Sequence, residues 1–239
     1  LNKIYSNPFA KVPVGRVRYG LMLREDGICY DDGTTARLAE NHFVMTTTTA
    51  NAVLVYRNME FARQCLFPDL DVHLISTTDQ WAQFAIAGPN SRAVLSKIID
   101  KVDMSNDGFP FMACSDVTVC GGTPGRLFRI SFSGELAYEV AVPARYGDAL
   151  IREIMTAGEE FDITPYGTEA LGVMRIEKGH VTGAELNGQM TAFNVNMNNM
   201  ISQKKDSIGS VLSRREVMVA DDQVRLVGVK TVEKSDSLS

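Results

Sequence analysis

The stretch GICYDDGTTARL, residues 27–38, has the composition of a β-strand but carries two adjacent aspartates at its centre. Aspartate is depleted in strands because its carboxylate competes for backbone hydrogen bonds. Side chains alternate across a strand, so Asp32 shares a face with Ile28 and other apolar residues, whereas Asp31 lies on the opposite face. Alternation therefore predicts that Asp32 points inward and that Asp31 is a solvated charge, unless a β-bulge at Gly33 breaks the count.

An inward carboxylate at position 32 has three interpretations. It can accept backbone N–H groups at a turn, which is a structural role. It can line a ligand cavity, where it serves as a proton acceptor or as a counter-charge to a developing cation. It can belong to a calcium loop, which is disfavoured because DDGTT lacks the alternating acidic spacing of oxygen coordination. The first two interpretations stay open from the strand pattern alone.

The segments around this strand predict an α+β fold with antiparallel sheets and packed helices. Two groups of strands are each followed by helices, and no G-x-G-x-x-G follows a strand to suggest a nucleotide-binding parallel sheet. The predicted strands are 17–23, 27–38, 42–49, 71–78, 81–88, 114–122, 125–134, 137–144 and 223–230, and the predicted helices are 50–67, 88–100, 145–158 and 167–179.

Composition narrows the class of protein. The chain has 239 residues, a formal net charge of -5 and 45% hydrophobic residues, which is ordinary for a globular protein. The acidic balance without a basic stripe argues against nucleic acid and anionic membranes as partners. Four widely spaced cysteines and three scattered histidines predict neither a disulfide framework nor a metal site, and they favour a reducing cytoplasm.

Both ends of the sequence suggest a fragment of a longer polypeptide. The chain opens on Leu1 within a helix-like run, without an initiator methionine. It closes on a polar tail after the predicted strand at 223–230, which is expected to begin a further domain.

Glu139 is a second charged residue within a predicted apolar strand, GELAYEVAVP, residues 134–143. Its face carries the small residues Ala137 and Ala141, which leaves room for a flat ligand that donates two parallel N–H groups to the carboxylate. The alternative is an exposed strand charge. Phe132 and Tyr138 are interpreted as core aromatics, with cavity walls as the lesser alternative. Four threonines from position 46 to 49 need only β-propensity to explain them.

Four stretches taken together resemble the aminomethyltransferase family, the T-protein of the glycine cleavage system. The similarity is greater still to the T-protein-like C-terminal region of the alpha subunit of heterotetrameric sarcosine oxidases, because MLREDG, DDGTTARL, TTTTANA and DQWAQ are typical of that region. The resemblance spans nearly the whole chain. The stretches are GICYDDGTTARLAENHFVM, FAIAGPNSRAVL, FSGELAYEVAVP and ALGVMRIEKG.

The resemblance implies a tetrahydrofolate-binding fold. Its catalytic aspartate corresponds to Asp32, and the glutamate that grips the pterin corresponds to Glu139. Thr46, Phe132 and Tyr138 are the other implied folate-binding residues. It also implies a folate-binding domain over residues 1–215, with 216–239 as the start of a truncated barrel and a polar tail.

Three departures from the family pattern accompany these matches. Phe132 replaces the usual tyrosine, so stacking can persist without a hydroxyl contact. Leu171 replaces a common arginine, which bears on the acidic folate tail, and Asn194 replaces an acidic residue.

The function implied by the resemblance is transfer of the one-carbon unit of an amine-derived imine to tetrahydrofolate, which gives 5,10-methylenetetrahydrofolate. FAD, FMN and NAD are expected only in other parts of the complex, and the other sarcosine oxidase subunits are the expected protein partners. A stand-alone T-protein-type aminomethyltransferase and a non-catalytic folate-binding module are the alternatives.

Overall fold

A computed structural model describes residues 1–233 and shows two antiparallel sheets with helices packed against them. The first sheet contains β1 (Arg16–Leu23), β2 (Cys29–Ala39) and β3 (His42–Met45). The second contains β4 (Trp81–Ala87), β5 (Ile99–Asp100), β6 (Cys114–Val119), β7 (Thr123–Phe128) and β8 (Ala137–Pro143). The helices are α1 (Ala52–Phe61), α2 (Ser91–Ser96), α3 (Gly147–Gly158), α4 (Thr168–Lys178) and α5 (Glu216–Val219).

The first sheet is covered on both faces. Its strands lie in the order β1-β2-β3, and Leu21 pairs with Asp32 across the first two strands. The register shifts between Met22 and Leu23, so Tyr30 on the opposing strand is left unpaired. Apolar side chains of the N-terminal segment and α1 cover one face, and residues from 181–201 pack against Leu21 and Leu23 on the other.

The second sheet has the strand order β4-β8-β7-β6-β5. One face packs against α2 and α3 and forms the largest hydrophobic core of the protein. The other face packs on the first sheet, because Ala36 and Val17 share a cluster with Ala141 and Phe128. The two sheets therefore meet face to face over part of their area.

Two predicted strands are wrong. Residues 71–77 are irregular and mostly exposed, and β4 pairs with β8 instead. Residues 223–230 join no sheet. Two hydrogen bonds to Asn194 hold this segment in place. The Asn194 side-chain Nδ2 donates to Val224 O at 2.8 Å, and the Asn194 backbone carbonyl accepts the Leu226 N–H at 2.7 Å. The expected end of the tail at 234–239 lies outside the described residues.

Most of the other predicted helices and strands occur, but the predicted helix at 88–100 ends at Ser96 and residues 99–100 form β5 instead, and the predicted strand at 125–134 ends at Phe128. The predicted helix at 50–67 is α1 followed by a π-helical turn at Ala62–Leu66. The predicted helix at 167–179 is α4, which ends before Gly179, whose positive φ of 82° suits a glycine C-cap. Among residues 1–233, no helix has both the length and the apolar character needed to cross a membrane.

Gly33 marks a close crossing of two chain segments. A Cβ at this position would lie 2.0 Å from Thr46 O, because the chain turns over β2 directly after β3. Gly33→Ala is expected to lower the free energy of unfolding by about 2–3 kcal/mol, since backbone atoms cannot yield as a flexible side chain can. Chemical denaturation of the purified protein measures this loss.

The matched control is Gly172→Ala, in the middle of α4, where an added Cβ meets no atom within 4 Å. This change is expected to stabilise the protein by about 0.5–1 kcal/mol. Equal effects of the two substitutions would contradict the close crossing at Gly33.

Candidate functional site

Asp31 is a buried structural carboxylate. Its side chain is 1% exposed, and it accepts hydrogen bonds from Thr48 N and Asn51 Nδ2, both at 3.1 Å. The prediction of a solvated charge at this position is wrong, because the N-terminal segment and α1 cover the face that alternation assigned to solvent. Asp31 thus ties β2 to the start of α1.

Asp32 lies half-buried on the face of β2 that packs on the second sheet at Ala36, whereas residues 181–201 cover Leu21, the cross-strand partner of Asp32. Tyr19 OH donates to its Oδ2 at 2.6 Å from the neighbouring strand. Burial raises the pKa of the Asp32 carboxyl above its ordinary value. The bond from Tyr19 lowers this pKa in part, and the charge of Asp31 raises it. The site therefore holds a carboxylate with more than usual affinity for a proton.

Tyr19 is a residue that the sequence analysis missed. The pKa of its hydroxyl is raised, first by burial and then by the Asp32 charge, so it stays a hydrogen-bond donor. The pairing of β1 with β2 would have identified Tyr19 from the sequence. Once Leu21 is paired with Asp32, the residue two positions back in β1 is the diagonal neighbour of that aspartate.

Thr46 closes the edge of this hairpin. Its hydroxyl accepts the backbone N–H of Thr34 at 3.1 Å and lies 2.9 Å from the Thr34 hydroxyl. Thr34 follows Asp32 by two residues and therefore shares its face. Thr46 therefore lies beside the face of β2 that carries Asp32. Its hydroxyl makes its hydrogen bonds with Thr34 of the same sheet.

Phe132 and His180 form a stacked pair at the end of α4. Their ring centroids lie 5.7 Å apart with planes inclined at 22°, and Nδ1 of His180 lies 2.8 Å from Phe132 O. Phe132 is 38% exposed, so its ring offers a free apolar face. Thr46 is linked to the strand of Asp32 through Thr34, whereas no hydrogen bond among residues 1–233 joins Phe132 or His180 to Asp32.

Glu139 lies on the face of β8 that is turned toward the first sheet. Ala137 and Ala141 flank it on its own strand, as the alternation of the strand predicts, and it pairs with Ala85 of β4 on one side and with Phe128 of β7 on the other. Gln83 Nε2 donates to Glu139 Oε2. Burial raises the pKa of Glu139, and the bond from Gln83 lowers it. One carboxylate oxygen therefore remains without a hydrogen bond from the described residues.

Tyr138 points away from Glu139 and into the large hydrophobic core. Its side chain is 0% exposed and lies in the large core, where its hydroxyl accepts Arg92 Nε at 3.0 Å and its ring stacks on Phe109. Adjacent residues of a strand point to opposite faces, so Tyr138 and Glu139 cannot both face a ligand. The structure supports the core interpretation of this aromatic.

The two candidate carboxylates project from the two sheet faces that pack together. Ala36, four residues beyond Asp32 on the same face, shares a cluster with Ala141, which follows Glu139 by two. Two cavities of about 320 and 140 Å³ lie elsewhere, by Met155 and by Cys120 respectively, and neither contains these carboxylates.

The arrangement has the groups that a planar, N–H-rich ligand requires. Glu139 offers a carboxylate among small side chains, Phe132 offers a stacking face, and Asp32 offers a proton acceptor. The raised pKa values of both carboxylates indicate desolvated sites, where hydrogen bonds to charge are strong.

Comparison with known proteins gives a consistent result. The family model described as the GCVT N-terminal domain matches residues 1–205. The sarcosine oxidase subunit alpha of Rhizobium meliloti (strain 1021) is 53% identical over 99% of this chain, which spans 24% of that protein. The aminomethyltransferase of Geobacillus sp. (strain WCH70) is 27% identical over 98% of this chain, which spans 63% of that protein.

Among solved structures, the glycine cleavage system aminomethyltransferase T from Bartonella henselae superposes with a TM-score of 0.75 at 20% identity. The match covers 89% of this chain and 56% of that one. This likeness confirms the predicted α+β fold with antiparallel sheets.

The two adjacent aspartates are expected to affect stability with opposite sign. Asp32→Asn should raise the free energy of unfolding at pH 7 by about 0.5–2 kcal/mol, because it removes a desolvated charge and keeps an acceptor for Tyr19. Since the folded-state pKa of Asp32 is raised, this gain should shrink as the pH falls through that pKa and the wild-type carboxyl becomes protonated.

Asp31→Ala should lower the free energy of unfolding by about 2–3 kcal/mol, because Thr48 N–H and the Asn51 amide lose a charged acceptor. Urea unfolding at pH 7 and pH 5 measures both variants. Destabilisation by Asp32→Asn at pH 7 would contradict the desolvated charge at position 32.

Proposed function

We propose that this chain, which belongs to the aminomethyltransferase family of the GCVT N-terminal domain, binds tetrahydrofolate and transfers an imine-derived one-carbon unit to it. The observation that carries the proposal is the half-buried Asp32, whose pKa is raised on a face turned toward the sheet that bears Glu139. A carboxylate that is removed from water without full hydrogen bonding destabilises the folded protein, so the presence of two such groups favours a role in binding or chemistry.

The residues present fit a folate. A pterin ring is flat and presents adjacent N–H donors, which a carboxylate accepts in a bidentate manner. Glu139 has small residues on its own strand and on β4, so in this proposal a ring approaches it from the β4 side, away from Phe128 of β7. In the proposed bound state Gln83 yields one oxygen of Glu139 to the pterin. Phe132 stacks on the ligand and Thr46 borders it.

When bound, tetrahydrofolate would supply the two nitrogen nucleophiles that take up the carbon of a cationic imine, and the C–N bond of the imine would break to release its amine and leave 5,10-methylenetetrahydrofolate. Asp32 accepts the proton released at the attacking nitrogen and returns it to the leaving amine, and its charge favours the cationic imine. Tyr19 holds the Oδ2 atom, which leaves Oδ1 to receive that proton. The packed sheets limit water, which would otherwise hydrolyse the imine to formaldehyde.

The source of the imine is proposed from the relatives. The similarity at 53% identity to a sarcosine oxidase alpha subunit favours oxidation of a methylated amine by a flavin on another part of a multi-subunit complex in the cytoplasm. FAD, FMN and NAD belong to those other parts in this proposal. Residues 1–215 are assigned to the folate-binding domain, and residues 216–239 to the start of a following barrel.

Replacement of Asp32 by alanine is expected to lower the rate of methylenetetrahydrofolate formation by about 10²–10⁴-fold, because the general base is lost. Folate affinity should change little. The measurement is the ratio of methylenetetrahydrofolate to free formaldehyde released by the intact protein during amine oxidation. Asp79→Asn, an exposed carboxylate, is the control. An unchanged ratio in Asp32→Ala would reject the assigned role.

Replacement of Glu139 by alanine is expected to weaken tetrahydrofolate binding by about 10–100-fold, which corresponds to the loss of charged hydrogen bonds. Titration calorimetry measures the dissociation constant. Glu135→Ala, in the exposed turn before β8, is the matched control and should bind normally. Equal affinities of the two variants would show that Glu139 does not contact the ligand.

A further inference from the structure

Gln83 lies beside Glu139 on the edge strand of the second sheet. β4 stands at the end of the strand order and pairs with β8. Ala85 is opposite Glu139 and Gln83 is opposite Ala141, so the Gln83 and Glu139 side chains are diagonal neighbours on one face of the sheet. Nε2 of Gln83 donates to Oε2 of Glu139. Strand register and a hydrogen bond therefore join the two side chains.

The hydrogen bond fixes which end of the Gln83 amide faces the carboxylate. An ionised carboxylate only accepts hydrogen bonds, so the amide presents its NH₂ group to Glu139 and turns its oxygen away. Glu139 uses one N–H of that group, and the second N–H makes no hydrogen bond within residues 1–233. A further donor is thus available at the side of the carboxylate.

Glu139 is open toward β4 and closed toward β7. On the β7 side it pairs with Phe128, which is 5% exposed. On the β4 side Gln83 and Ala85 are exposed, and Ala87 is half-buried. The two alanines carry only methyl groups, so Gln83 supplies the hydrogen-bond donor that a ligand meets as it approaches the carboxylate over β4.

A carboxylate beside an amide NH₂ group offers two acceptors followed by a donor. A 2-amino-4-oxopteridine presents the complementary order along one edge, which is an amino N–H, a ring N–H and a carbonyl oxygen. A carboxylate alone pairs with two N–H groups and leaves the carbonyl position unread. A 2,4-diaminopteridine carries an amino group in place of that carbonyl, so an N–H would face the N–H of the amide. Polar groups that are left unpaired in this way weaken binding.

We propose that Gln83 selects a 4-oxo ring over a 4-amino ring at Glu139. The inference rests on the proposed function. When the N–H groups of the ring occupy the Glu139 carboxylate, the amide released from Oε2 donates to the carbonyl oxygen at position 4 of the ring. The carboxylate repels the amide oxygen, so the NH₂ end of Gln83 stays toward the ring. Gln83 is thus a specificity residue that takes no part in proton transfer.

A thermodynamic cycle measures this contact. Titration calorimetry gives the dissociation constants of tetrahydrofolate and of its 4-amino-4-deoxy analogue for the intact protein and for Gln83→Leu. Tetrahydrofolate should bind the variant about five- to tenfold more weakly, because one hydrogen bond to the carbonyl is lost. The analogue should bind the variant at least as well as the wild type, because leucine removes the opposing N–H. The preference for the 4-oxo ring should therefore fall by about tenfold.

Gln64→Leu is the matched control. Gln64 is an exposed glutamine whose Nε2 donates to Glu60 Oε2 at 2.8 Å, so it repeats the pairing of an amide with a carboxylate at the end of α1. This change should leave both dissociation constants in place. Gln83→Met keeps an unbranched side chain of similar length without the donor, and it should reproduce the result of Gln83→Leu.

Turnover provides a second arm. A residue that only holds the ring stabilises the ground state and the transition state alike, so its loss raises KM and leaves kcat unchanged. Gln83→Leu should need about five- to tenfold more tetrahydrofolate for half-maximal methylenetetrahydrofolate formation, while kcat stays within about twofold of the wild type. A loss confined to kcat would place Gln83 in the chemistry and reject the inference.

The outcomes separate this inference from the proposed function. A fall in the 4-oxo preference of Gln83→Leu, with both constants unchanged in Gln64→Leu, supports the inference. An unchanged preference, when Glu139→Ala still weakens tetrahydrofolate binding, rejects Gln83 as the selecting residue and leaves the proposed function standing. Absence of tetrahydrofolate binding by the wild type, or binding that neither Glu139→Ala nor Gln83→Leu alters, rejects the proposed site and the inference with it.

Discussion

The structure depends on two neighbouring carboxylates that one strand sends to opposite faces of a sheet covered on both sides. Asp31 is compensated by donors from the segment after β3, and this fixes the start of α1 against the sheet. Asp32 accepts one side-chain hydrogen bond, from the Tyr19 hydroxyl. In the proposed function Asp31 is therefore a structural charge, and Asp32 is the charge that is available for chemistry.

The candidate site is assembled from two sheets and one helix end. The first sheet supplies Asp32, the segment directly after β3 supplies Thr46, the second sheet supplies Glu139, and the end of α4 brings His180 against Phe132. Glycine at position 33 allows the close approach of Thr46 O to β2, and alanines flank Glu139 on its own strand and on β4. The site thus depends on packing between distant parts of the chain, and small side chains matter as much as the acidic ones.

Alternation along strands was sufficient to place Asp32 and Asp31 on opposite faces and to place Tyr138 opposite Glu139. It failed for Asp31, because a strand pattern cannot report a second covering layer that comes from residues far along the sequence. It also failed for residues 71–78 and 223–230, whose β-propensity is not matched by a neighbouring strand. Tyr19 was missed because its hydrogen bond to Asp32 follows from strand register, which local patterns do not contain.

A crystal structure of the intact protein with bound tetrahydrofolate or a stable 5-formyl analogue tests the central claim most directly. The account predicts a pterin ring between the two sheets, with Glu139 accepting its N–H groups and an oxygen of Asp32 within about 3 Å of a reactive folate nitrogen. A folate bound elsewhere, with the Gln83 to Glu139 hydrogen bond intact and Asp32 without a ligand contact, would contradict it.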